Sequence, residues 1–241
     1  MKPVIIAHRG ASLLAKHENT LESFQIAIDI GADYAEFDIR QTKDKKLIVF
    51  HDEKIGDTPI DNLTYNELCE YTQIYGYKVP LLSEVLKLCH GKIKLDIELK
   101  ETGYERRIIS MVTKEYNYSY DSFMMKSFLD TAVAKIKKID SKITAGLLVG
   151  LRKAGLKRRI NEYFPERRLI ACNADFISPN FRLTNFLFMR RMHSMHKKVY
   201  IWTVNDAKRI AKCIRNKADG IISDRPDIGI AVRKKCKKGC I

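Results

Sequence analysis

Rhythm is the feature of this chain that most limits its fold. Short runs rich in Val and Ile recur at 4–7, 34–40, 47–50, 93–99, 122–127, 144–149, 169–174, 199–204 and 220–223. Amphipathic stretches fill the intervals, among them 20–30, 104–116, 131–139, 181–196 and 206–216. A strand followed by a helix, repeated, is the pattern of a parallel sheet, because a parallel neighbour can be reached only by a crossover. The runs at 34–40 and 47–50 are joined by Gln41-Thr42-Lys43-Asp44-Lys45-Lys46, too few residues for a crossover, and read as a hairpin. Counting that hairpin once leaves eight strand positions, which fits an α/β fold of the (β/α)8 TIM-barrel type. A doubly wound open sheet is the alternative, but no glycine-rich dinucleotide fingerprint follows residues 4–7. The whole chain, 1–241, is expected to be a single barrel domain. An excursion at about 52–82 is too short for a core of its own.

The first helix has readable ends. Asn19 is the expected N-cap, Glu22 follows three residues on, and Gly31 supplies the stop. Leu21, Phe24, Ala27 and Ile28 fall on one face, as burial against a sheet requires.

In a barrel, functional groups gather where strands end. The first strand runs into His8-Arg9-Gly10, the second carries Glu36-Phe37-Asp38, its hairpin partner ends at His51-Asp52, and the next reads Leu95-Asp96-Ile97-Glu98-Leu99-Lys100. Side chains two apart on a strand share a face, so Glu36 and Asp38 point together, as do Asp96, Glu98 and Lys100. Unpaired carboxylates facing a barrel interior are costly to desolvate. A hard divalent cation on Glu36, Asp38 and Glu98 resolves that cost; the blander alternative is ion pairing with Arg40 and Lys100. His8 and His51, each ending an apolar strand, suit a general base and a general acid on opposite sides of a reacting centre. Arg9 and Lys100 offer positive charge for a phosphate.

Read in order, Ala7-His8-Arg9-Gly10, Glu18-Asn19-Thr20, Glu36-Phe37-Asp38, Thr42-Lys43-Asp44, His51-Asp52, Glu98-Leu99-Lys100, Trp202-Thr203-Val204-Asn205-Asp206 and residues 219–226 resemble the glycerophosphodiester phosphodiesterases from first strand to last. The resemblance implies a metal-dependent TIM-barrel enzyme that cleaves small-molecule glycerophosphodiesters to sn-glycerol 3-phosphate and an alcohol. It implies one divalent ion, Mg2+ or Ca2+, on Glu36, Asp38 and Glu98, and His8 and His51 as the acid/base pair, with His8 taken as base and His51 as acid. It also places Arg9 and Lys100 on the phosphate and Trp202 in the glycerol pocket, with Glu18 and Asn19 supporting the site. The chain departs from the family after His51-Asp52, where Glu53-Lys54-Ile55-Gly56-Asp57-Thr58 stands in place of a Leu-x-Arg-Thr-Thr stretch, and this leaves the leaving alcohol open. Two other functions compete: a lysophospholipase D-type enzyme, and a catalytically silent barrel that binds anionic partners.

Charge bears on that last alternative. The chain carries 44 Lys and Arg against 29 Asp and Glu, a net +15, concentrated at 152–168 and 233–238. Anionic partners are favoured, yet no helix-turn-helix, zinc-finger or RNA-recognition signature is present, so no nucleic-acid partner is expected. The opening apolar run is too short for a signal peptide and no stretch reaches the roughly 18–20 residues of a membrane span, so a cytoplasmic location is expected. Six cysteines, at 69, 89, 172, 213, 236 and 240, include no Cys-x-x-Cys pair and read as reduced thiols. Phe181, Phe186, Phe188, Met189, Met192 and Met195 make an apolar helical segment expected to pack on the barrel. Were it exposed beside 152–168, it would suit peripheral contact with anionic membrane. Oligomeric state is left open.

Overall fold

The computed structural model describes residues 2–150 and 156–237. Its strands are β1 Val4–Ala7, β2 Tyr34–Gln41, β3 Leu47–Val49, β4 Lys54–Ile55, β5 Thr58–Pro59, β6 Lys94–Leu99, β7 Phe123–Ser127, β8 Ala145–Val149, β9 Phe176–Pro179, β10 Lys198–Ile201 and β11 Gly220–Ser223. The helices are α1 Leu21–Asp29, α2 Tyr65–Gln73, α3 Leu82–Cys89, α4 Glu105–Ser110, α5 Asp130–Ile139, α6 Leu156–Tyr163, α7 Glu166–Ala171, α8 Phe186–Ser194, α9 Ala207–Arg215 and α10 Pro226–Lys237. Eight parallel strands (β1, β2 and β6 to β11) close on themselves because β1 pairs with both β11 and β2. This is the (β/α)8 barrel that the strand rhythm implies. β3 runs antiparallel beside the end of β2, with Ile39 opposite Val49, so the hairpin forms as read.

Strand alternation builds two apolar layers. Ile5, Ala7, Ala35, Phe37 and Ile39 face outward onto buried helix residues such as Phe24, Ala27, Val85 and Leu86. Ile6, Met124, Phe176, Tyr200 and Ile222 fill the barrel's centre. Two glycines make that filling fit. A Cβ on Gly146 would lie 2.1 Å from the Phe176 ring, and one on Gly220 would lie 2.4 Å from the Tyr200 ring. Each ring therefore lies across the place where a neighbouring strand has no side chain, the small-against-large pairing that packs a small barrel.

Local details depart from the sequence reading. Thr20, not Asn19, caps α1: its side chain accepts from the Ser23 amide and the Ser23 hydroxyl accepts from the Thr20 amide. Asn19 instead takes a left-handed φ of 54° and spends its side chain on Asp38. Residues 169–174 are not a strand. They are the last turn of α7 and the turn after it: Leu169 and Cys172 are buried while Ile170 is 70% exposed, a helical period. Asn173, at φ 52°, ends that helix, and the strand follows at β9.

The excursion holds the β4–β5 hairpin, a turn of 3-10 helix at Ile60–Asn62 and α2. It does gather a small core, with Ile60, Leu63, Leu68 and Val79 packed around Ile48 of β3, so the barrel lends it the residue it lacks. In the apolar segment Phe188, Met189 and Met192 are buried as expected, whereas Phe186 stands 70% exposed. Residues 152–155 of the first basic cluster, Lys238 of the second, and Cys240 lie outside the described residues; Cys69, Cys89, Cys172, Cys213 and Cys236 are free thiols. Among the described residues no helix is long and apolar enough to cross a membrane.

Candidate active site

Pairing β2 with β6 sets Glu36 beside Asp96 and Asp38 beside Glu98, a two-by-two block of inward carboxylates. Glu36, Asp38 and Glu98 are each almost fully buried, and each offers an oxygen within 4.8 Å of the others, an arrangement that could hold a metal ion. Two lysines reach the block. Lys100 Nζ lies 2.8 Å from Asp38 and 2.5 Å from Glu98. Lys126 Nζ, from the adjoining strand β7, lies 2.6 Å from Asp96 and 3.2 Å from Glu36. The blander ion-pair reading is therefore half realised: Lys100 does pair with the acids, while Arg40 turns to Glu101 and to the His51 carbonyl.

The charges in this block remain in tension. Burial, with Asp38 and Glu36 close by, pushes the Glu98 carboxyl up to about 7 despite Lys100. Burial likewise raises Asp96 to about 6 against the pull of Lys126. Burial also opposes ionisation of Asp38, yet Lys100 and Arg9 outweigh it and hold that carboxyl well below the usual range. Lys126 is shared with Asp96 and Arg9 with Glu18, so the acids of the block outnumber the cations that reach them. A divalent cation would offset that excess, and oxygen donors are the ligands such an ion takes. Asn19 gives a second indication. Its Nδ2 donates to Asp38 at 2.9 Å, while its Oδ1 is buried without a hydrogen-bond partner, in a patch crowded with acceptors. The residues present thus fit a hard cation.

The histidines flank the block. His8 Nδ1 lies 2.6 Å from Asp224 Oδ1, which leaves Nε2 on the side of Glu36, 3.9 Å away. Asp224 is itself anchored by the Ser12 hydroxyl at 3.0 Å and the Asn205 amide at 2.6 Å. Burial works against its charge, but His8, Asn205 and Ser12 outweigh it and hold the carboxyl down at about 2. His51 Nδ1 lies 2.7 Å from Asp52 Oδ1. Burial first, then the charge of Lys100, lowers the His51 imidazole below its ordinary value.

Arg9 closes the polar side. Its backbone turns through φ 52° and its amide donates to Glu36 at 2.9 Å, while its guanidinium meets Glu18 at 2.7 Å and Asp38 at 3.4 Å. Gly10, at φ 77°, follows it, and a Cβ there would strike the Ser23 hydroxyl at 2.4 Å, so only glycine lets α1 come this close. These groups line a cavity of about 190 Å³ whose opposite wall is Phe128, Leu148, Trp202 and Ile222. Trp202 Nε1 donates to the Ser178 carbonyl at 2.8 Å, and its ring meets Phe128 edge-on at 5.7 Å.

A model of the glycerophosphoryl diester phosphodiesterase family matches residues 8–228, which includes every residue just described. The chain belongs to this family. As a glycerophosphoryl diester phosphodiesterase family member it is an enzyme, a phosphoric diester hydrolase. A glycerophosphodiester phosphodiesterase of Caldanaerobacter subterraneus subsp. tengcongensis is 28% identical over 98% of this chain and 99% of its own. Human lysophospholipase D GDPD1 is 27% identical over 92% of this chain and 83% of its own. An Oleispira antarctica phosphodiesterase, solved in complex with the product sn-glycerol-3-phosphate, shares the fold with a TM-score of 0.81 at 23% identity, covering 97% of both chains.

The structure gathers all of the residues singled out in the sequence at one mouth: His8, Arg9, Glu18, Asn19, Glu36, Asp38, His51, Glu98, Lys100 and Trp202. It adds three others. Asp224 stood within the resemblance without a role, although an acid directly after a strand is a signal of the same kind as His8. Lys126, a lone charge inside the run Phe-Met-Met-Lys-Ser, marked itself by its apolar surroundings. Phe128 carried no signal at all. Among the remaining histidines, His17 stacks on Tyr77, His90 meets Tyr118 edge-on and His193 lies 3.2 Å from Asp219, so each has its own local partner.

Proposed function

We propose that this enzyme hydrolyses glycerophosphodiesters to sn-glycerol 3-phosphate and an alcohol, with one divalent cation, Mg2+ or Ca2+, on Glu36, Asp38 and Glu98 and with His8 and His51 moving the protons. The observation that carries the reading is the cavity at which a carboxylate trio, Arg9, Lys100, His8 and His51 converge. The product complex of the Oleispira antarctica relative supports the same product class.

A cation bound there would act as a Lewis acid, offsetting charge on the phosphoryl oxygens and acidifying a hydroxyl it holds. The chain's own groups do the rest. Arg9 and Lys100 bind the non-bridging oxygens and orient phosphorus for in-line attack. His8, its Nδ1 fixed by Asp224, accepts at Nε2 the proton of the attacking hydroxyl. With the glycerol 2-hydroxyl as nucleophile, the first product is a cyclic phosphate that water then opens. His51 protonates the departing alkoxide, and the two histidines exchange roles in the second step. Trp202 and Phe128 exclude water from one side. Glu18 holds Arg9, and Asn19 holds Asp38. The reading takes 1–241 as one catalytic domain working in the cytoplasm, which the free thiols support.

A coupled assay for glycerol 3-phosphate across a panel of glycerophosphodiesters tests this. Near-normal turnover of glycerophosphocholine by either His8→Ala or His51→Ala refutes the proton assignment, and indifference to EDTA refutes the cation. The apolar wall and the human relative favour a second reading, a lysophospholipase D-type activity. Comparing lysophosphatidylcholine with glycerophosphocholine separates the two.

A further inference from the structure

The apolar wall of the cavity continues outward onto an exposed patch. α8 starts just past the end of β9, and its first residues, Phe186 and Leu187, are 70% and 59% exposed while Phe188 and Met189 turn inward. α6 lies beside it: Tyr163 Oη accepts from Asn185 Nδ2 at 2.7 Å, and the Arg191 guanidinium stacks over the Phe164 ring at 4.5 Å. Phe164 and, one helical turn earlier, Ile160 are both more than half exposed and extend the same patch. The patch sits at the mouth. The amide of Gly150, just past β8, donates to Glu162 of α6 at 2.5 Å, and Asn180, just past β9, bridges to Trp202 of the cavity wall.

The stretch of sequence that carries this patch is strongly basic. Residues 151–193 hold ten Lys and Arg against three Asp and Glu, so under a fifth of the chain carries +7 of its +15. The three acids are already matched: Glu162 to Arg168, Glu166 to Arg191 and Asp175 to Lys137. Single exposed apolar residues are ordinary. Four large ones in one patch, with Arg167, Arg182 and Arg190 exposed on the same segments and without an acid partner among the described residues, are the combination that binds an anionic lipid surface by shallow apolar insertion plus electrostatic attraction. A nucleic acid would use the charge but not Ile160 and Leu187, and a second copy would bring like charge against like.

We propose that Ile160, Phe164, Phe186 and Leu187 form a docking surface for an anionic lipid bilayer, on the apolar side of the mouth. The test is sedimentation of the full chain with vesicles of mixed phosphatidylglycerol and phosphatidylcholine, and with phosphatidylcholine alone. The anionic vesicles should carry the protein down, high salt should release it, and Phe186→Ser with Leu187→Ser should lower partitioning at least about tenfold. Turnover of soluble glycerophosphocholine by that variant should match wild type. Ile160→Ser with Phe164→Ser repeats the test on the other helix, should the first variant fold poorly. Failure to sediment with anionic vesicles overturns the proposal, as does undiminished binding by both variants. A wild-type dimer that either variant converts to monomer would give the patch to a second copy instead.

Discussion

Replacing Asp224 with Asn keeps the side chain's shape and removes the acceptor on which His8 Nδ1 rests. Asp224 now takes three donors: His8 Nδ1 at 2.6 Å and the Ser12 hydroxyl at 3.0 Å on one oxygen, and the Asn205 amide at 2.6 Å on the other. An amide has one oxygen. Turned toward Asn205, it presents NH2 to His8, makes Nδ1 an acceptor and puts the ring proton on Nε2, the atom that must take protons from substrate. Turned toward His8, it sets two NH2 groups against each other. Either way a charge-assisted hydrogen bond worth about 1.5–3 kcal/mol is lost, roughly 10- to 150-fold in rate. Loss of the base tautomer extends the range toward the whole general-base contribution, about 10²- to 10⁴-fold. The expected result for Asp224→Asn in the coupled glycerol 3-phosphate assay is a kcat lowered about 10²- to 10⁴-fold, with KM nearly unchanged. A kcat close to wild type refutes the orienting role. Stability offers an independent check. The Asp224 carboxyl is lowered from 3.8 to about 2, so its contribution is present above pH 4 and disappears as pH falls through about 2. Wild type should exceed the variant by roughly 2 kcal/mol in urea at neutral pH, and the gap should vanish at the acid end.

Three further outcomes follow from the same geometry. Glu98, raised from 4.5 to about 7, stabilises the metal-free fold fully below pH 4.5 and less as pH rises through 7. Glu98→Gln should therefore match or exceed wild type in metal-free melting temperature at pH 8 and lose the upward shift that Mg2+ or Ca2+ gives wild type; an unchanged metal-induced shift removes Glu98 from the cation site. Gly146→Ala drives a Cβ to 2.1 Å from the Phe176 ring and should cost about 1–3 kcal/mol in urea unfolding, partly recovered by Phe176→Leu. A stability equal to wild type would contradict the barrel packing. His51, lowered from 6.5 by burial and Lys100, should titrate below that value by NMR in the metal-free protein; a midpoint at or above it refutes the placement.

What could be read from the sequence divides along physical lines. The direction of Glu36, Asp38, Asp96 and Glu98 follows from strand alternation alone, because period two leaves no freedom once Phe37 and Ile97 are buried. The closure of eight strands follows from counting crossovers. Residues 169–174 suggest a strand because Leu-Ile-Ala-Cys is apolar in either periodicity, and the burial of Leu169 and Cys172, three apart, shows that the helical one operates. The cap lies one residue beyond Asn19 because asparagine suits both an N-cap and a left-handed turn. The choice is made by Asp38, nineteen positions away in sequence. Lys126 and Phe128 are silent in the sequence for a related reason: both matter through residues on other segments, and neither local pattern nor spacing reports such neighbours.

Ile6, Met124, Phe176, Tyr200 and Ile222 plug the barrel beneath the carboxylate block. Ile222 belongs both to this plug and to the cavity lining, so among the described residues the plug is the floor of the site. A molecule seated against Glu36 and Glu98 can depart only along the path by which it arrived, so two products of one cleavage cannot exit at opposite ends.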